Sequence, residues 1–99
     1  MQKSLEIKQA IARVNTLIED QNGLETGVLY SRTQRKEIVP YRNLAYYVLQ
    51  NHPTFQMTSY TIGQFYNRRH RGSVDRGIRR IKKSSEMTKE AEQIMVKLG

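Results

Sequence analysis

The sequence predicts an all-α fold, a small helical bundle containing a helix-turn-helix. Three observations predict it. The apolar residues make up only 37% of the chain, yet they recur at i, i+3/i+4 and i+7 in separate blocks, the spacing of helices that each bury one face. At 99 residues and 11.6 kDa there is material for one core, so residues 1–99 read as a single domain. A short capped segment, a turn and a strongly basic amphipathic segment follow one another between Thr58 and Lys83, as the two helices of such a motif do.

Each element has its own signal. Ile7, Ile11, Val14 and Ile18 form the stripe of a first helix, with Lys8, Arg13 and Glu19 off it, and Asn22-Gly23 is suited to end it. Residues 24–39 are weakly patterned: a connector with room for one short apolar turn at Val28-Leu29-Tyr30, then a polar, basic stretch from Ser31 to Lys36. Pro40 fits the first turn of a second helix, whose face is Leu44, Ala45, Val48 and Leu49 and which Pro53 ends. Beyond the loop containing Thr54, Phe55 and Gln56, Thr58 or Ser59 caps a short third helix reaching about Tyr66, with Ile62 and Phe65 inward and Asn67 in the turn. A fourth helix over about 72–83 carries Val74, Ile78 and Ile81 on one face, and Ser84-Ser85 interrupts the pattern. Met87, Ala91, Ile94 and Leu98 define a last helix, expected to pack across the others as a lid. The methionines read as terminal or as filler on helical stripes.

Charge singles out one of these elements. Of the formal net charge of +8, residues 66–83 hold eight basic residues against one acid, a net of +7. At about 100° per residue, Val74, Ile78 and Ile81 cluster on one side of the fourth helix, and Gly72, Arg76, Arg79, Arg80 and Lys83 fall around the other. A helix that is apolar toward its domain and guanidinium-rich outward suits a polyanion: arginine's planar fork bonds a guanine edge at two points or grips phosphate oxygens. A basic surface helix is also common with no such role.

Two stretches resemble a known family. Gln34-Arg35-Lys36-Glu37-Ile38-Val39-Pro40-Tyr41-Arg42-Asn43-Leu44-Ala45-Tyr46-Tyr47 resembles the approach to the C-terminal DNA-binding domain of the bacterial replication initiator DnaA, where a basic K-R-E-I-V-type loop leads into an R-Q-[IM]-A-M-Y helix. Thr58 to Tyr66 resembles that family's S-L-P-x-I-G-x-x-F helix, and Val74 to Ile81 its recognition helix. The resemblance implies a bundle related to the Trp repressor and a diverged, free-standing relative, such as one carried by a mobile element or phage. It also implies roles: Arg42 in the minor groove, Arg35 and Lys36 in a loop near the backbone, and Arg69, His70, Arg71, Gly72 and Ser73 at the base-reading segment. Where the family has D-H-T-T, this chain has His70-Arg71-Gly72-Ser73, so a different target sequence is expected. The phosphate loop of the family's ATPase, G-x-x-x-x-G-K-[ST], does not occur in the chain.

Other chemistry finds little footing. There is no cysteine, which removes thiolate nucleophiles and disulfides and fits a reducing compartment. His52 and His70 have no ligand partner at zinc spacing; a capping or surface place at a helix end suits His52, and the turn at the nucleic-acid face suits His70. The nine acids are scattered, with no close carboxylate pair in a predicted cleft and no convincing set of Ser, His and Asp, so no enzyme, cofactor or metal is expected. The adjacent Tyr46 and Tyr47 fit a core-and-surface split better than a stacking platform. The first twenty residues hold no signal-peptide core or membrane span, and a cytoplasmic, nucleoid-associated protein is expected. The expected function is sequence-selective binding of double-stranded DNA in replication initiation or its regulation. Arg71, Ser73 and Arg76 then face bases, while Arg69, Arg79, Arg80 and Lys83 serve mostly phosphates, and Arg68 is also counted among the DNA-binding residues. The rival readings are a protein-interaction module that uses the basic helix, and a transcriptional regulator of a mobile element.

Overall fold

The computed structural model describes residues 2–31, 34–66 and 70–99. They form five α-helices, α1 (Gln2–Asn22), α2 (Val39–Asn51), α3 (Ser59–Phe65), α4 (Arg71–Lys82) and α5 (Ser85–Leu98), with a single 3-10 turn at Val28–Tyr30. Among the described residues there is no strand. The expected all-α bundle is therefore the observed fold.

α2 is the hub. It packs on each of the other four helices and on the 3-10 turn, and Leu44, Ala45, Val48 and Leu49 have essentially no exposed surface. Pro40 sits in its first turn and His52 closes it, so proline's missing N–H falls where no helical partner exists. α1 lays Ile11, Val14 and Ile18 on the same core. It ends at Gly23, whose φ of 65° is the left-handed conformation that glycine adopts without cost; Leu24 N–H bonds back to Glu19 O at 2.8 Å, capping the last turn. α5 closes the bundle through Ala91 and Ile94, against α1, α2 and α4.

Three later helices carry side-chain caps. Thr58, not Ser59, caps α3, its hydroxyl accepting from Thr61 N at 3.1 Å. His70 caps α4. Ser84 caps α5 by accepting from Met87 N at 3.2 Å, so the serine that breaks one pattern starts the next helix.

Several expectations need correction. Glu19 is not on the polar face of α1: it is 2% exposed and its carboxylate accepts from Leu29 N at 3.1 Å. The cause is the 3-10 turn folded against α1, whose buried backbone N–H needs an acceptor. Tyr66, expected only as the end of α3, is completely buried, while Phe65 is half-buried. The Tyr66 hydroxyl donates to Asn15 Oδ1 on α1, and its ring meets Tyr46 edge-on at 5.1 Å between centroids. Burial, reinforced by Tyr46, pushes the Tyr66 hydroxyl well above the usual tyrosine pKa, against a smaller opposing effect of Arg42 and the Asn15 bond. His52 is buried, not at the surface; its Nδ1 accepts from Thr54 N at 3.1 Å and its ring lies 4.6 Å from that of Phe55. Met57 fills the core from the α2–α3 loop instead of from a helical stripe. Asn67 lies outside the described residues.

Candidate nucleic-acid interface

α4 is the most strongly two-faced helix of the chain. Val74, Gly77, Ile78 and Ile81 are buried, and Arg71, Arg76, Arg79, Arg80, Lys82 and Lys83 are exposed. Two neighbours hold it in that rotation. On one side Gly77 meets α2: a Cβ added there would lie 2.9 Å from Asn43 Cγ and 3.2 Å from the Tyr46 ring, with Asn43 Oδ1 closer still. Only a residue without a side chain permits that approach. On the other side, the Ser59 hydroxyl of α3 donates to the Asp75 carboxylate and also accepts from Gln50 Nε2 of α2 at 3.3 Å. Asp75 is the single acid of residues 66–83, and this bond turns it toward α3, leaving the solvent side of α4 entirely cationic.

The residues singled out from the sequence do not all fall together. Arg71, Arg76, Arg79 and Arg80, with Lys83 at the C-cap, share the exposed side of α4, joined by Lys82, a residue of the basic cluster that the sequence does not assign to the DNA face. Gly72 and Ser73 are half-buried in its first turn, where Ser73 Oγ accepts from Arg76 Nη2 at 3.4 Å. His70 is exposed, but its Nδ1 accepts from Gly72 N at 2.9 Å, so one ring nitrogen is committed to the cap. The helix accordingly begins at Arg71, a residue or two before its expected start.

Arg35 and Lys36 are exposed in the loop before α2, with Arg35 Nε 3.6 Å from Glu37 Oε1. Arg68 and Arg69 lie outside the described residues. Arg42 is the one clear correction: it is 2% exposed, its Nε donating to Leu29 O at 3.0 Å and its Nη2 to Ser31 O at 2.9 Å. Together with Glu19 it binds both backbone groups of Leu29, so its guanidinium anchors the 3-10 turn to α2 and is not presented to a minor groove.

Between α2 and α4 runs a polar cleft of about 190 Å³, lined by Gln34, Asn43, Ser73, Arg76 and Arg80 among others, with no acid. Two residues that shape this cleft are not among those expected from the sequence: Gly77, which sets the helix spacing, and Asn43, beneath it. A glycine inside a basic helix at a position that continues the apolar stripe was the available signal.

Among the described residues no group of three or more His, Asp or Glu is placed to hold a metal ion, and no helix is long and apolar enough to cross a membrane. No protein-family model matches this chain, and no curated protein or solved structure matches it either.

Proposed function

We propose that this chain binds double-stranded DNA sequence-selectively, with α3 and α4 acting as a helix-turn-helix and α4 lying in the major groove. Its work is binding, not catalysis, and the setting we infer is replication initiation or its regulation, following the DnaA resemblance. One observation supports this reading above the rest: five cationic side chains stand exposed on a twelve-residue helix whose apolar side is packed, with Lys83 at its C-cap as a sixth, while its one acid is bonded away to α3. Arg71, Ser73 and Arg76, in the first half of α4, are assigned to base edges; Arg79, Arg80 and Lys83, with Arg35 and Lys36 of the preceding loop, to phosphates. Arg42, which lines the α2–α4 cleft with its guanidinium held by Leu29 O and Ser31 O, is assigned no groove contact.

Selection from a random duplex pool tests the proposal, followed by affinity measurement against salt. Enrichment of one short consensus is expected. If six phosphates are neutralised, log K should fall with log salt at a slope of about −5, from roughly −0.9 per phosphate. A pool that never enriches, or an affinity indifferent to salt, refutes the reading. The salt test also separates DNA from an uncharged protein partner.

A further inference from the structure

We infer that the cleft between α2 and α4 is a seat for one phosphate group of the DNA backbone, with Asn43 and Arg80 as its principal ligands; this rests on the DNA-binding reading above. The decisive residue is Asn43. It is only 7% exposed, it lines the cleft together with Arg76, Arg80, Ser73 and Gln34, and no described residue hydrogen-bonds its side-chain amide. Its Oδ1 is turned against Gly77, which leaves the Nδ2 hydrogens as donors without a protein acceptor. A buried amide in that condition costs stability unless something from outside accepts from it. In the same cleft, Arg80 supplies a full positive charge from α4 and no carboxylate competes for it.

An acceptor that is anionic, small enough for about 190 Å³ and approached from the α4 side has the chemistry of a phosphate oxyanion. The backbone N–H groups of the α2 N-terminus do not provide an alternative seat. Val39 N already bonds Arg35 O, and Tyr41 N and Arg42 N bond Ile38 O, while Pro40 has no N–H. The cleft continues along the start of α2 to Lys36, through a second hollow that again includes Gln34, Asn43 and Arg80. That continuity places Lys36 and Arg80 along one hollow leading away from the seat, so that a strand of DNA lying on α4 meets a second cation beyond it, and it favours a backbone phosphate over a free ion.

Two measurements on the full chain test this. First, inorganic phosphate is titrated while the Asn43 side-chain amide signals are followed by NMR; a saturable shift, lost in Arg80→Gln, is expected. No shift at Asn43 overturns the seat whatever DNA does. Second, each backbone phosphate of the selected duplex is replaced in turn by a neutral methylphosphonate. One position should weaken the wild-type protein about tenfold, the scale of a single charge-assisted contact, and weaken Asn43→Ala and Arg80→Gln hardly further. Arg80→Gln changes an exposed residue, so it keeps the test open if Asn43→Ala folds poorly. If the phosphate shift is present and duplex binds selectively, but no position shows this coupling, the DNA source is refuted while the DNA-binding reading stands. Absence of any duplex binding, by contrast, removes that reading itself.

Discussion

Substitution of Gly77 by alanine separates two physical effects that act in opposite directions. In an exposed helix the change would stabilise by about 1 kcal/mol, because glycine is the poorer helix former. In this bundle the added methyl forces something to shift. Its position is 2.9 Å from Asn43 Cγ and 3.2 Å from the Tyr46 ring, and Tyr46 is held from behind by the buried Tyr66. The tyrosine cannot yield, so either α4 moves off α2 by a few tenths of an ångström or Asn43 is driven into the cleft. Overpacking of this kind costs about 1–3 kcal/mol. Set against the propensity gain, a net destabilisation of about 1 kcal/mol is expected, which for a domain of this size lowers Tm by roughly 4–8 °C. Both routes also disturb α4 and the seat beneath it, so duplex affinity should fall by more than the small loss of folded protein explains. Thermal melts followed by circular dichroism, paired with duplex titrations well below Tm, read the two effects apart. A Gly77→Ala protein that melts higher than wild type and binds as tightly would falsify the account of the α2–α4 contact.

Other expectations follow from the same contacts. Tyr66 has its pKa raised in the folded state, chiefly by burial, so its contribution is complete below the unfolded value of about 10 and is lost as pH rises through the folded one. Wild type should therefore lose up to about 1.4 kcal/mol per pH unit above pH ~10 relative to Tyr66→Phe, in urea melts across that range; parallel curves would rule this out. Arg42→Met removes one buried and one part-buried charge-assisted bond and should cost about 3 kcal/mol in urea unfolding, while affinity per folded molecule stays unchanged. A selective loss of affinity with stability intact would restore the groove role that the resemblance assigns to it. Arg76→Ala should narrow the difference between selected and random duplex, whereas Lys83→Ala should weaken both alike and make the salt slope shallower by about 0.9. Equal effects from the two in competition titrations would remove the division between base and phosphate contacts.

The sequence made the helices legible because their partner is the shared core, and any apolar side chain at the right period serves it. Val74, Ile78 and Ile81, like Ile11, Val14 and Ile18, are buried as their spacing required. The same logic fails for polar residues, whose burial depends on a particular partner far along the chain. Glu19 and Arg42 read as solvated charges until the 3-10 turn supplies the N–H and C=O of Leu29 between them. Tyr66 is buried by a bond to Asn15, 51 residues earlier, a pairing that no local pattern carries. The basic side of α4 was legible because charge clustering is a property of one segment. The cleft was not, because it exists only where Gly77 lets α2 approach, and half of its lining comes from residues 34–46.

Stability alone accounts for only part of the way α4 is charged. Arg79, Arg80 and Lys82 lie in its last turn, where the negative end of the helix dipole favours cations. Arg71 stands in its first turn, where the same dipole disfavours a cation by about 0.3–1 kcal/mol, and it has Arg76, Arg79 and Arg80 on the same helix to repel it. The fold tolerates this by fixing the helix from behind, through Gly77 on α2 and the Ser59–Asp75 bond on α3, not by pairing the cations along its outer side. An arrangement that raises the free energy of the isolated domain and is relieved by an approaching polyanion makes binding and stability one equilibrium. The cationic side of α4 and the unpartnered amide of Asn43 are then two expressions of that relation: each is a cost in the free protein, and under the proposed function one phosphodiester chain would answer both.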